Sequence, residues 1–143
     1  MVFVAACDLR VATTEATFTI PEVDLGIPLA WGGIPRLVRE IGPALTKELV
    51  LTCRPFDAAE AKSIGFINRV VDPEDLDTTV NELAENLASK TLYSLHSTKQ
   101  QVNAVMEEIA GTGRSAGDAD MLVYAMRDPE SREATARYLA QRK

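Results

Sequence analysis

Apolar residues recur every three or four positions through the second half of the chain, and that spacing predicts helices. Leu76, Val80, Leu83 and Leu87 share one face of a helix that runs to about Lys90. Leu92, Leu95, Val102, Val105 or Met106, and Ile109 form a similar stripe in the next one. Asp72-Pro73-Glu74-Asp75 is a helix start: a capping acid, a proline, then acids near the positive helix end. Gly111 to Gly117 reads as a polar hinge, with Asp118 or Asp120 opening a helix to about Arg127. Asp128-Pro129-Glu130 opens the last helix.

The first half is patterned differently. Residues 2 to 8 are nearly all apolar, so periodicity cannot separate a helix from a buried strand. Leu9 to Thr13 and Thr17 to Ile20 are short strand candidates, and Pro21 to Gly33 is a Gly/Pro loop. Helices are expected over about 34–41 and from Pro43 to about 52, ended by Arg54-Pro55. Asp57 and Glu60 read as a capping box for a short helix that Gly65 closes, and Phe66 to Val71 reads as a strand. About three short strands do not make a sheet with its edges satisfied. With the uncapped apolar start at Met1, this reads as the later part of a larger α/β fold.

Composition narrows the class. Of 143 residues, 46% are hydrophobic and 25% charged, which suits one globular unit with a core. The net charge of −6 lacks the basic cluster that phosphate backbones need, so a nucleic-acid partner is not expected. No apolar run approaches the roughly eighteen residues of a membrane span. Two cysteines make neither a disulfide framework nor a metal cluster, so a reducing cytoplasmic compartment is expected.

Glu22 is the strongest candidate for chemistry. It follows Pro21 at the end of an apolar strand, where a partly dry pocket suits a general acid/base. The plain alternative is a solvated loop glutamate. Gly32-Gly33 before a helix either offers N–H groups to an anion or only makes a turn. Trp31 either lines an apolar pocket or packs in the core. His96, the single histidine, has Ser94 and Ser97 beside it, and helix neighbours one or two apart do not face each other. Cys7 and Cys53 read as small buried hydrophobes. Arg36, Arg39, Lys47 and Arg54 read as solvated faces, and Tyr138 as a core aromatic or a contact to a ligand or neighbouring subunit.

Together these residues resemble a known family. Ala6-Cys7-Asp8-Leu9-Arg10-Val11-Ala12, Ala16-Thr17-Phe18, Pro21-Glu22-Val23-Asp24-Leu25-Gly26, Gly32-Gly33 and Arg36-Leu37 follow the order of the second half of the crotonases, the enoyl-CoA hydratases and isomerases. Downstream, Leu49 to Thr52 with Arg54-Pro55, and Ala58 to Val71, resemble further family segments. Ser131-Arg132-Glu133, Tyr138-Leu139 and Arg142 resemble its C-terminal signature. The resemblance spans essentially the whole chain.

The resemblance implies an α/β spiral of ββα turns. Residues 1–72 would be a partial core segment, and 73–143 a helical region of the trimerisation type. It implies acyl-CoA thioester substrates, a homo-oligomer (trimer or hexamer), and no cofactor beyond the coenzyme A carried by the substrate. The chemistry would be enolate stabilisation by two backbone N–H groups, with carboxylates moving protons nearby. Glu22 resembles the second catalytic glutamate. The hydratases' first glutamate lies five residues before the Cys-Asp pair, where this chain has Val2. That departure favours a one-glutamate isomerase or another enolate reaction over a standard hydratase. Ala30 and Trp31 stand where the family has small residues, which implies an altered acyl pocket, and Tyr138 resembles an aromatic near the CoA adenine. The resemblance places both oxyanion donors upstream of Met1, so the chain by itself is expected to be inactive. The alternative is a non-catalytic remnant, or a subunit that self-associates or complements a separate first half.

Overall fold

The computed structural model describes residues 1–141, so Arg142 of the C-terminal signature lies outside the described residues. The apolar start forms only one helical turn, α1 (Val2–Ala5), in which Ala5 is buried and Phe3 is left to solvent. Strand β1 (Val11–Thr13) follows, then β2 (Thr17–Phe18). The two helices expected between 34 and 52 run on as α2 (Gly33–Thr52), interrupted at Gly42 with φ 75° and ψ 168°. A side chain rarely adopts that conformation, so glycine permits the bend, and Pro43 begins the second half.

Two corrections concern strands. An unexpected short strand, β3 (Phe56–Asp57), pairs antiparallel with β2. The run from Phe66 to Val71 is extended in the ladder only over β4 (Arg69–Val71), which pairs in parallel with β1. The N–H groups of Phe66 and Ile67 instead go to the Ala61 carbonyl, at 2.9 and 3.1 Å, and that of Asn68 to Arg10 at 2.9 Å. The described strands thus form two separate pairs.

Between β3 and β4, α3 (Ala58–Ser63) is capped as expected, with the Asp57 carboxylate accepting the Glu60 N–H at 2.8 Å. The reciprocal half of the box is absent. The Glu60 carboxylate instead takes two hydrogen bonds from Arg54, at 2.6 and 3.0 Å, a stronger charged partner.

Pro73–Asp75 makes a 3-10 turn before α4 (Leu76–Ala88), and the Asp72 side chain makes no cap bond there. Helices α5 (Leu92–Ile109), α6 (Asp118–Arg127) and α7 (Pro129–Ala140) follow, with a 3-10 turn at Thr112–Ser115 in the polar hinge. Asp128 caps α7 by accepting the Ser131 N–H at 2.8 Å.

The core lies almost wholly in the first half. Ile20, Leu37, Leu49 and Phe66 are its most enclosed large side chains. Phe18 stacks on Phe56 at 5.3 Å and meets Phe66 edge-on at 6.0 Å. At its margin Arg10 is buried. It pairs with Glu40, donates to the Cys7 carbonyl at 3.1 Å and lies 4.9 Å over the Phe66 ring. Beyond residue 72 the buried hydrophobic positions among the described residues reduce to Ala110. Leu92, Val102, Val105 and Ile109, the stripe of α5, are more than half exposed. Amphipathic spacing was legible there, but the surface that would cover it is not within these residues.

Candidate active site

Ile20, 1% exposed, anchors the chain end from which Pro21-Glu22 departs. The next residues fold back on themselves: Leu25 N–H bonds Pro21 O at 3.1 Å, Gly26 N–H bonds Val23 O at 2.9 Å, and Ile27 N–H bonds Glu22 O at 3.0 Å. Helix α7 braces this turn. The Thr135 hydroxyl donates to the Leu25 carbonyl at 2.5 Å. Gly26 has φ 72°, and a Cβ there would lie 2.3 Å from the Ser131 carbonyl oxygen. Glycine is therefore required twice, by conformation and by the backbone pressed against it.

Within that frame Glu22 is half-buried, and its Oε2 atom is enclosed with no hydrogen-bond partner. Buried carboxylate oxygens are nearly always paired. One oxygen of Glu22 is thus enclosed and unpaired while the residue as a whole is only half-buried, which keeps it the candidate for chemistry in this loop.

The other end of the loop holds Ala30 and Trp31. Ala30 is enclosed, at 1% exposure. Trp31 is 60% exposed, so the core-packing alternative fails. Its φ of 56° is left-handed, which costs a bulky L residue about 1–2 kcal/mol. Gly32 follows with φ 66°. The Gly32-Gly33 pair does not present free N–H groups to an outside anion. The Gly32 N–H is taken by the Asp118 carboxylate at 2.8 Å, and the Gly33 N–H by the Ala30 carbonyl at 2.9 Å. The anion at this turn is the chain's own.

Val2 packs on the same loop: a Cβ on Gly33 would lie 2.9 Å from Val2 Cγ2 and 2.8 Å from Leu29 Cγ. The position that resembles the first glutamate therefore presents an apolar side chain to Leu29 and Gly33. Tyr138 is half-buried on α7.

Several expectations are corrected. Cys7 is exposed, while Cys53 is buried as expected. Arg39 is no solvated side chain, since it donates to the Ala110 carbonyl at 2.7 Å and pairs with Glu107. That arginine, helped by the Thr112 N–H, holds the Glu107 carboxyl below the usual carboxylate range. Arg54 bridges Glu60 and Glu48, and its bond to Glu60 lowers that carboxyl in the same way. Arg36 donates to the Trp31 and Gly32 carbonyls. His96 is exposed on α5, and its neighbour Ser94 accepts from Thr91 at 2.7 Å. The bond from Asp118 and the brace by Thr135 were not anticipated, because contacts over 86 and 110 positions leave no local pattern.

An open groove of about 1210 Å³ lies between residues 5–9 and α5, lined by Leu9, Leu95, Val102 and Met106 among others. Glu22, Ala30 and Trp31 are not on its wall. No helix among the described residues is long and apolar enough to cross a membrane.

The whole chain, residues 1–143, matches the family model described as enoyl-CoA hydratase/isomerase. It is 38% identical over 102 residues to the short-chain-enoyl-CoA hydratase of Clostridium acetobutylicum, covering 71% of this chain and 39% of that protein. It is 36% identical over 138 residues to the crotonyl-CoA hydratase of Syntrophomonas wolfei, covering 96% of this chain and 52% of that protein. The crystal structure of an enoyl-CoA hydratase/isomerase from Pseudoalteromonas atlantica superposes with a TM-score of 0.85 at 25% identity, over 98% of this chain and 56% of that one. The chain spans about half the length of these proteins. The family model covers the whole chain and the fold agrees, and the chain belongs to the enoyl-CoA hydratase/isomerase family.

Proposed function

We propose that this chain carries the proton-moving half of an acyl-CoA thioester site, with Glu22 as the acid/base at the α-carbon. The observation that carries this reading is the enclosed, unpartnered Oε2 of Glu22 in a loop fixed by α7. The names of the relatives, short-chain-enoyl-CoA and crotonyl-CoA hydratases, support a short acyl-CoA as substrate. Coenzyme A arrives with the substrate, and no separate cofactor takes part. Val2 cannot orient a water, so the reading favours a one-carboxylate reaction, such as double-bond isomerisation, over hydration. Ala30, Trp31 and Tyr138 are proposed to border the substrate.

The thioester oxyanion needs backbone donors that the Gly32-Gly33 turn does not offer, since both N–H groups are engaged. Each missing donor lowers turnover by roughly 10²–10³. The reading therefore expects negligible turnover from this chain alone, with the donors coming from other residues. A second reading, in which the chain acts by association with another copy or a separate first half, is favoured by the uncovered apolar faces of α5 and α6, where Ile109, Tyr124 and Met126 are 70–73% exposed.

A chimera tests the first reading. This chain replaces the matching second half of the Syntrophomonas wolfei hydratase, and α-proton exchange of butyryl-CoA is followed in deuterated water. Exchange is expected, and Glu22→Gln should reduce it by about 10²–10⁴. Val2→Glu should raise hydration of crotonyl-CoA relative to exchange. A folded chimera whose exchange is unaffected by Glu22→Gln would sink the assignment.

A further inference from the structure

Trp31 and Gly32 are consecutive left-handed residues, and four backbone groups at this turn are hydrogen-bonded. The Gly32 N–H donates to Asp118 Oδ2 at 2.8 Å. Arg36 Nη1 donates to the Gly32 carbonyl at 3.0 Å and to the Trp31 carbonyl at 3.4 Å. The Gly33 N–H closes back on Ala30 at 2.9 Å. Trp31 is 60% exposed, so core packing does not set its direction. What sets it is the backbone.

We infer that Asp118, on the first turn of α6, is a positioning residue of the site. With Arg36 it clamps the Trp31–Gly32 backbone, so that the indole stands outward as a fixed wall beside Ala30. Asp118 is suited to this: it is half-buried, its carboxylate accepts a charge-assisted bond, and Gly32 is buried. Left-handed backbone at a tryptophan is unfavourable on its own, so it persists only where its surroundings over-determine it. The helical second half thereby fixes the backbone at Trp31 through one hydrogen bond that spans 86 positions. That the wall faces an acyl chain rests on the reading given above. The clamp is tested without ligand, so its failure and the failure of that reading are separate results.

Trp31 is the chain's single tryptophan, so its fluorescence reports this turn alone. The experiment is time-resolved anisotropy of Trp31 in the full chain. In the wild type the indole should move little on the sub-nanosecond scale. Asp118→Ala removes a charge-assisted bond and should raise the population of other backbone conformations about tenfold or more. The fast anisotropy component should grow accordingly. Asp118→Asn keeps a carbonyl acceptor and should restore near-wild-type behaviour. Asp120→Ala, an exposed acid two positions along, should change nothing. If Asp118→Ala does not fold, Arg36→Ala carries the same test, and a freed indole is again expected. A Trp31 equally rigid in the folded Asp118→Ala protein, or in Arg36→Ala where that variant carries the test, overturns the inference. So does an Asp118→Asn protein as loose as Asp118→Ala.

Discussion

Replacing Arg10 by methionine keeps the aliphatic stem but removes the charge at the margin of the core. The Arg10 side chain is 5% exposed and Glu40 is 30% exposed. Three contributions are lost. The hydrogen bond to the Cys7 carbonyl is worth about 1 kcal/mol. The guanidinium over Phe66 contributes about 0.5–1 kcal/mol. Breaking a fully buried pair costs about 3–5 kcal/mol, because a charge is stranded, but Glu40 reaches water and that term falls to about 1 kcal/mol. Arg10→Met should therefore cost about 2–3 kcal/mol. With a urea dependence near 1–3 kcal/mol per molar, the midpoint should fall by about 0.7–3 M. Urea unfolding followed by far-ultraviolet circular dichroism reads this directly. Arg10→Met combined with Glu40→Met should be about 1 kcal/mol more stable than additivity, since neither charge is then stranded. A neutral or stabilised Arg10→Met protein would refute the reasoning. The unpartnered Nε of Arg10 would then outweigh its bonds.

Two further predictions follow from the braces on the site. Gly26→Ala sets a Cβ against the Ser131 backbone at a left-handed position, so it should cost more than about 1–2 kcal/mol and loosen α7. Faster hydrogen exchange of the amides around Thr135 would show it, and unchanged exchange would contradict the close approach. The Glu107 carboxyl, lowered by Arg39, contributes stability that is present above the unfolded glutamate value and lost as pH falls through its lower folded value. Acid unfolding of α5 should therefore begin at higher pH in Arg39→Met, measured by α5 amide signals, and coincident profiles would exclude the contribution.

Much of the fold was legible because its signals are local. Asp57 and Asp128 mark helix starts to the residue, Asp72-Pro73 marks the 3-10 turn that leads into α4, and the 76–87 stripe has a single period. Strand lengths were not legible. Phe66 and Ile67 look like strand residues, yet their N–H groups close the turn after α3, a choice made by the Ala61 carbonyl and the packing above it. Glu22 could be picked out by the proline before it and the apolar residues around it. The loop that carries it is braced by α7 through a bond from Thr135 to Leu25, 110 positions apart. The arginines were misread for the same reason. Charge suggests solvent, and only the fold reveals that Arg39 and Arg54 have carboxylates and a carbonyl waiting.

The second half meets the first through the packing of α4 on β1, the close approach of Ser131 to Gly26 and a few polar bonds, among them Lys99 to Asp8, Arg39 to Ala110 and Glu107, Asp118 to Gly32, and Thr135 to Leu25. With so little apolar area enclosed beyond residue 72, those bonds resemble a weak encounter between two molecules more than the inside of one. The peptide link between β4 and α4 then has a role of its own. By holding the halves within a few residues of each other it gives each the millimolar effective concentration of a short tether. A single protease cut near Pro73 would remove that advantage without breaking any of the bonds themselves. The halves would then part on dilution, and with them would go the support beneath Glu22 and Trp31.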